Sequence, residues 1–299
     1  MIAYRRFTKQ FGADRAVDDL TLEVPRGAIV ALLGPNGSGK TTTIKAAAGL
    51  IRPTSGDVLL GVPGTAAGTA SAREQCSFLP QRVSFPEALS GREVVEFYRR
   101  LRGTAAEATE RVLKFAALNG SSGRAVGTYS GGMLQRLGLA VAMLPNAEVL
   151  LLDEPSAALD PEGLCALYGL IDERRRAGAT VFFSSHQLGD VERMADHIAV
   201  LVKGRLVALM SEREVAERLA DRGVMRVRLA ARVPALLEKV REVCPKAQWF
   251  GEELIAPGAA VDRPRVLDLV RQAGAEITGL TAQEGRLDEF YRELVEAHS

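Results

Sequence analysis

The residues with the most evident chemistry are Gly34-Pro35-Asn36-Gly37-Ser38-Gly39-Lys40-Thr41-Thr42. They match the pattern G-x-x-x-x-G-K-[ST], with Gly34, Gly39, Lys40 and Thr41 at its fixed positions. Glycines let the backbone curl into a concave loop whose N–H groups point at an anion. A helix starting directly afterwards adds the positive end of its dipole. In such a loop Lys40 places an ammonium on the β- and γ-phosphates, and the Thr41 hydroxyl offers a ligand to magnesium. The expectation is a site for a nucleoside triphosphate.

Four further groups suit the same chemistry. Val149-Leu150-Leu151-Leu152-Asp153-Glu154 is an apolar run closed by two carboxylates. At the C-terminal edge of a parallel sheet, Asp153 would serve the magnesium water shell and Glu154 would polarise the attacking water. Gln81 follows Cys76-Ser77-Phe78-Leu79 and can reach metal and water from there, although a Gln in that place is more often an ordinary surface residue. His186 follows Thr180-Val181-Phe182-Phe183-Ser184 and is read as a γ-phosphate contact, where a lone His at a strand end is usually structural. Ser130-Gly131-Gly132 reads as the N-cap of a helix running to about Met143, and a free helix N-terminus suits phosphate. One triphosphate already has its cradle, so this second anion site is a puzzle. Phe11 beside Gly12 could stack on an adenine or simply pack in a hairpin.

These residues need elements to hold them. Ala28 to Leu33 is a short continuous apolar run, as expected for a strand buried on both faces, and a helix can begin at Thr42. Residues up to about 25 read as antiparallel strands, with Leu20-Thr21-Leu22-Glu23-Val24 alternating before the turn at Pro25-Arg26-Gly27. Residues 57–60 and 76–79 suit further strands, separated by a Gly/Ala/Thr/Ser-rich loop over 61–72. Ser90 can cap a helix through Arg102 that buries Val94, Val95, Tyr98 and Leu101, and another helix covers 105–118. Pro161 starts a helix ending near Arg176, and strands recur at 197–202 and 205–209 before a helix at 211–221.

Composition narrows the class. The 299 residues suit about two domains, are 47% hydrophobic and 25% charged, and carry a net charge of +1. That balance makes no electrostatic case for nucleic acid. The basic runs Arg5-Arg6, Arg99-Arg100 and Arg174-Arg175-Arg176 read as solvated faces. Cys76, Cys165 and Cys244 are far apart, without disulfide-framework, zinc or copper-ligand spacing. No signal segment and no bilayer-length apolar run is visible, so the expectation is a cytoplasmic chain without direct membrane insertion.

The order of these pieces resembles the ATP-binding subunit of ABC transporters over residues 1 to about 215. Residues 34–41 look like the Walker A motif, Val149–Asp153 like Walker B, and Glu154 like its catalytic glutamate. Gln81 is similar to the Q-loop glutamine, His186 to the switch histidine, Ala157-Ala158-Leu159-Asp160 to the D-loop, Ser130-Gly131-Gly132-Met133 to the signature, and Phe11 to the adenine-stacking aromatic. Met133 and Tyr129 stand where the signature usually carries Gln and Leu, and Ala157 where a D-loop Ser is frequent.

The resemblance implies a P-loop (RecA-like) α/β core with antiparallel β and helical subdomains, the latter over about 88–145, in a domain of residues 1–220. It implies ATP and Mg2+, a homodimer in which Ser130, Gly131, Gly132 and Asp160 of one copy close over the ATP of the other, and a polytopic membrane permease that holds the subunit peripherally on the inner face of the cell membrane. Val83 to Glu93, Tyr129-Ser130, Arg136 to Ala140 and Leu167 to Asp172 further resemble the ATPase subunit of the Nos transporter, which matures the copper centres of nitrous oxide reductase.

Residues 221–299 read as a small α+β domain. The order βαββαβ, from Val224-Met225-Arg226-Val227-Arg228-Leu229 onward, is that of a ferredoxin-like unit. Alternatives to the Nos reading are the ATPase of another exporter of the ABC-2 type (drug or lipid), or a soluble ABC ATPase of repair or translation. The soluble proteins usually carry coiled-coil insertions or two cassettes, and this chain has no long heptad run. A small-molecule kinase would have no use for the signature stretch.

Overall fold

The computed structural model describes residues 1–61, 64–118 and 120–298, and the chain divides into two compact units, Met1–Leu209 and Met210–Ala297. The sequence expectation set this division after residue 220. Residues 62 and 63 of the expected 61–72 loop lie outside the described residues.

The first unit is built on two sheets. Strands β1 (Ile2–Phe11), β2 (Asp14–Val24), β4 (Ser55–Leu60) and β5 (Thr65–Ala66) form an antiparallel sheet in the order β2-β1-β4-β5. The second sheet contains β3 (Ile29–Leu33), β6 (Cys76–Leu79), β7 (Val149–Asp153), β8 (Thr180–Ser185), β9 (His197–Val202) and β10 (Arg205–Ser211), in the order β10-β9-β3-β8-β7-β6. Its pairs from β9 to β6 are parallel. Strands β3, β7 and β8 are buried at every residue, which is why their sequences are runs rather than alternations. Phe182 and Phe183 are fully enclosed on β8, each worth roughly 1.5–3 kcal/mol of burial.

The parallel register decides where the loops go. Leu33 lies opposite Ser185, Asp153 opposite Ser184, and Leu79 opposite Leu152. Gly34, His186, Glu154 and the chain leading to Gln81 therefore leave the sheet along one C-terminal edge, where ligands bind in open parallel sheets.

Helices flank the sheet: α1 (Lys40–Ala47), α2 (Ala70–Gln75), α3 (Gly91–Leu101), α4 (Glu107–Phe115), α5 (Gly131–Ala142), α6 (Pro161–Arg176) and α7 (Leu188–Met194). Three sequence expectations are corrected here. The stretch 61–72 is not wholly loop: it contains β5, and α2 begins inside it with the Thr69 side chain capping Ala72 N. Helix α3 has its predicted Ser90 cap, reinforced by Glu93 in a capping box, and buries Val94 and Val95. Its Leu101, however, is 69% exposed. Arg174 is no solvated residue: it is buried, and its guanidinium bonds Asn146 Oδ1 and the Ala147 carbonyl (2.7 Å). Helix α7 had no sequence signal strong enough to predict it.

The second unit holds α8 (Glu212–Ala220), then β11 (Val224–Leu229), α9 (Pro234–Arg241), β12 (Gln248–Phe250), β13 (Glu253–Pro257), α10 (Arg263–Gln272), β14 (Ile277–Gln283) and α11 (Leu287–Glu296). The sheet order β12-β13-β11-β14 with antiparallel pairs is the ferredoxin-like arrangement, and Met225, Val227, Leu229, Val240, Leu254 and Val266 form part of its core.

Candidate nucleotide site

The loop after β3 is shaped by its glycines. A Cβ on Gly34 would fall 2.3 Å from the Leu201 carbonyl oxygen, and one on Gly39, at φ +102°, would fall 2.4 Å from that of Ala16. No other residue fits either position without moving backbone. The turn delivers Lys40 to the first residue of α1, where its ammonium donates to the carbonyls of Gly34 (2.7 Å) and Pro35 (3.1 Å). Burial lowers the Lys40 pKa from its ordinary value, against the opposing pull of Glu154 and Asp153.

A cavity of about 460 Å³ opens over this loop, lined by Asn36, Gly37, Ser38, Gly39, Lys40, Thr41 and Thr42, by Phe11, Asp14, Arg15 and Ala16 of the antiparallel sheet, and by Gln81 and Glu154. Phe11 is half exposed on its wall, with Lys9 Nζ 4.8 Å from the ring centroid. Gly34 and Pro35 are not among the residues that line the cavity.

The carboxylates are held from β8. Ser184 Oγ donates to Asp153 Oδ1 (2.7 Å) and accepts from the Glu154 N–H (2.9 Å), while Thr41 Oγ1 donates to the same Asp153 oxygen (3.1 Å). Burial raises the Asp153 pKa. Its other oxygen, Oδ2, is buried without a hydrogen-bond partner. An orphaned carboxylate oxygen next to a threonine hydroxyl is a donor set that fits a hard divalent cation. Glu154 sits at φ +49°, a conformation that costs a non-glycine residue on the order of 1–2 kcal/mol. Gln81 Nε2 donates to Glu154 Oε2 (2.8 Å), and His186 Nδ1 lies 3.4 Å from the same oxygen. The structure thus brings Lys40, Thr41, Gln81, Asp153, Glu154 and His186 together.

Ser130, Gly131, Gly132 and Asp160 do not line this cavity. Ser130 caps α5 by accepting from Met133 N (3.2 Å), and a Cβ on Gly131 would meet open space. Asp160 caps α6 by accepting from Gly163 N (2.9 Å) and pairs with Arg136 (3.5 Å). Sequence reasoning missed Ser184 and the Asp14–Ala16 wall. A serine closing an aromatic strand was the one available hint for Ser184, and nothing local marked the wall.

Comparison with known proteins agrees with this geometry. Residues 17–157 match the ABC transporter family model. The daunorubicin resistance ATP-binding protein DrrA3 of Streptomyces coeruleorubidus is 31% identical over 96% of this chain and 93% of its own. The linearmycin resistance ATP-binding protein LnrL of Bacillus subtilis is 27% identical over 98% of each. Among solved structures, the dimeric structure of a bacterial ABC transporter cassette aligns with a TM-score of 0.64 at 25% identity, over 71% of this chain and 98% of that one. Similarity of that extent, running through the phosphate loop and both carboxylates, makes this chain a member of the ATP-binding subunits of ABC transporters, enzymes that bind and hydrolyse ATP.

Proposed function

We propose that two copies of this chain clasp two ATP molecules head to tail and drive export through a separate membrane subunit. The carrying observation is Glu154, whose carboxylate meets Gln81 and His186 at the rim of the phosphate-loop cavity. In this reading Glu154 is the general base for the attacking water and His186 contacts the γ-phosphate. Lys40 and the loop Gly34 to Thr42 hold the phosphates, Phe11 stacks on the base, and Gln81 orients the water. Thr41, Gln81 and Asp153 would hold Mg2+, which when bound screens phosphate charge.

Ser130, Gly131 and Gly132 lie off the cavity on a capped helix end where a Cβ on Gly131 would meet open space, which suits an anion brought by a second copy. Asp160, at the end of the neighbouring turn, would join them. The same patches then meet twice across a two-fold axis. The dimeric state of the similar solved cassette supports this.

Among the described residues no helix is long and apolar enough to cross a membrane, so the transport path would belong to a partner. Phe97 and Leu101 are exposed on α3, downstream of Gln81, and offer that polytopic subunit an apolar landing on the inner face of the cell membrane. The names of the relatives, resistance to daunorubicin and linearmycin, support a drug-like cargo. A second reading, delivery of sulfur or copper for nitrous oxide reductase maturation, rests on the stretch Val83 to Glu93 and its companions in the sequence. Identification of the integral subunit that co-purifies from membranes separates the two. For the ATPase itself, Glu154→Gln should keep ATP binding and lower turnover by about 10²–10⁴-fold, measured as phosphate release. Turnover at the wild-type rate would remove Glu154 from its role.

A further inference from the structure

The turn that follows Glu154 and the turn that carries His186 end on one buried carboxylate. Asp190, in the first turn of α7, is buried. Its Oδ2 accepts from Ser156 Oγ, two residues after Glu154, and lies 3.5 Å from Ser185 Oγ, the residue before His186. Ser185 Oγ also accepts from the Gln187 N–H (2.9 Å) and donates to the Gln187 carbonyl (3.1 Å), closing the turn around His186. Asp190 Oδ1 accepts from Tyr168 OH on α6 (2.8 Å). One side chain therefore fastens β7's outgoing turn, β8's outgoing turn and α6.

We infer that Asp190 is a positioning residue that sets the reach between Glu154 and His186. The inference rests on the proposed roles of that pair. Glu154 and His186 meet at 3.4 Å through side chains whose backbones follow two different strands. Ser184 joins the strands themselves, bonding Asp153 and the Glu154 N–H. It does not hold the two turns beyond the strand ends, and Asp190 does. Ser156 and Tyr168 donate to it and Ser185 Oγ lies within reach, in a buried site where a shared acceptor transmits any shift of one turn to the other. Arg193 stacks on the Tyr168 ring at 5.0 Å, and the Tyr168 hydroxyl, its pKa pushed up to about 12 by burial and then by Asp190, stays a donor at all working pH values.

The test is steady-state ATP hydrolysis, with nucleotide affinity measured separately on the full chain. Asp190→Ala should lower kcat by about 10–100-fold, the scale of a small misplacement of reacting groups, with KM for ATP and the affinity for a fluorescent ATP analogue within about twofold. Asp190→Asn, which keeps one acceptor oxygen, should recover part of the loss. Tyr168→Phe removes a bond to the same carboxylate without touching either turn, and should lower the melting temperature while leaving kcat near wild type.

If Asp190→Ala does not fold, Ser156→Ala and Ser185→Ala replace it. The two should each lower kcat, and their double variant should lose less than the product of the single losses, because both act through one carboxylate. Glu154→Gln is run alongside. If it abolishes turnover while Asp190→Ala, corrected for folded fraction, retains wild-type kcat, or if Asp190→Ala and Tyr168→Phe change kcat equally, the inference falls. If Glu154→Gln itself turns over normally, the proposed roles fall and the inference falls with them.

Discussion

Asp153 shows how one buried carboxylate can weaken the fold and yet be retained. Burial raises its pKa, so the folded chain holds this proton more tightly than the unfolded chain does. The group's contribution to stability is therefore favourable below the ordinary carboxyl range and is lost as pH rises through the folded pKa. Asp153→Asn, which keeps an oxygen for Ser184 and Thr41, should raise the melting temperature near pH 7, and the gain should vanish toward pH 3. The same variant should lose the additional stabilisation that Mg2+ at the proposed site would give the ATP-bound chain, measured by melting with and without the metal. A variant less stable than wild type at pH 7 would contradict the burial argument. At this scale the sequence was highly legible. Lys40, Thr41, Asp153 and Glu154 were marked by their motifs and lie together in the fold, whereas Ser184 and Asp190 became visible only when β7, β8 and α7 came together.

Capping explains much of how the elements were placed. Ser90, Thr69, Ser130, Asp160 and Ser211 each accept a backbone N–H at a helix start, and each sits before a stretch with helical character. Ser90→Ala should cost about 1 kcal/mol of stability, read from chemical denaturation, because it removes the hydroxyl that accepts from the Glu93 N–H, while the backbone N–H that donates to the Glu93 carboxylate stays. Ser130 tests a different property of the same kind of residue. Ser130→Glu should abolish hydrolysis while leaving the affinity of the single chain for ATP unchanged, by nucleotide titration at low protein concentration. Loss of that affinity would mean that the α5 terminus serves the chain's own cavity. What misled sequence reasoning was amphipathic spacing taken as burial and a charge run taken as exposure. Leu101 follows the periodicity of α3 yet lies on its open face, and Arg174 sits in a basic run yet is drawn inward by the Asn146 side chain and the Ala147 carbonyl. Periodicity says which residues share a face, not whether something covers it.

For the whole molecule, the head-to-tail arrangement predicts complementation. Ser130→Glu lacks only the closing helix tip, and Lys40→Ala lacks only the phosphate cradle. Mixed together, they form some dimers in which one site combines an intact cradle with an intact tip. Hydrolysis should return on mixing two inactive preparations. Mixtures that stay inactive, although sedimentation shows mixed dimers, would count against the composite site.

The phosphate loop, the paired carboxylates and the serine-capped glycine pair were determined by sequence alone, because each is local: a few consecutive residues fix both the backbone shape and the groups displayed. The strand runs were equally plain, since a strand buried on both faces must be apolar throughout. Tertiary structure decided which ends of those strands lie side by side. The parallel register of β3, β8, β7 and β6 puts residues far apart in the chain on one edge. It alone brings Gln81, Glu154 and His186 to a common oxygen and lets Asp190 fasten two of their turns, since such contacts depend on strand order that no local stretch encodes.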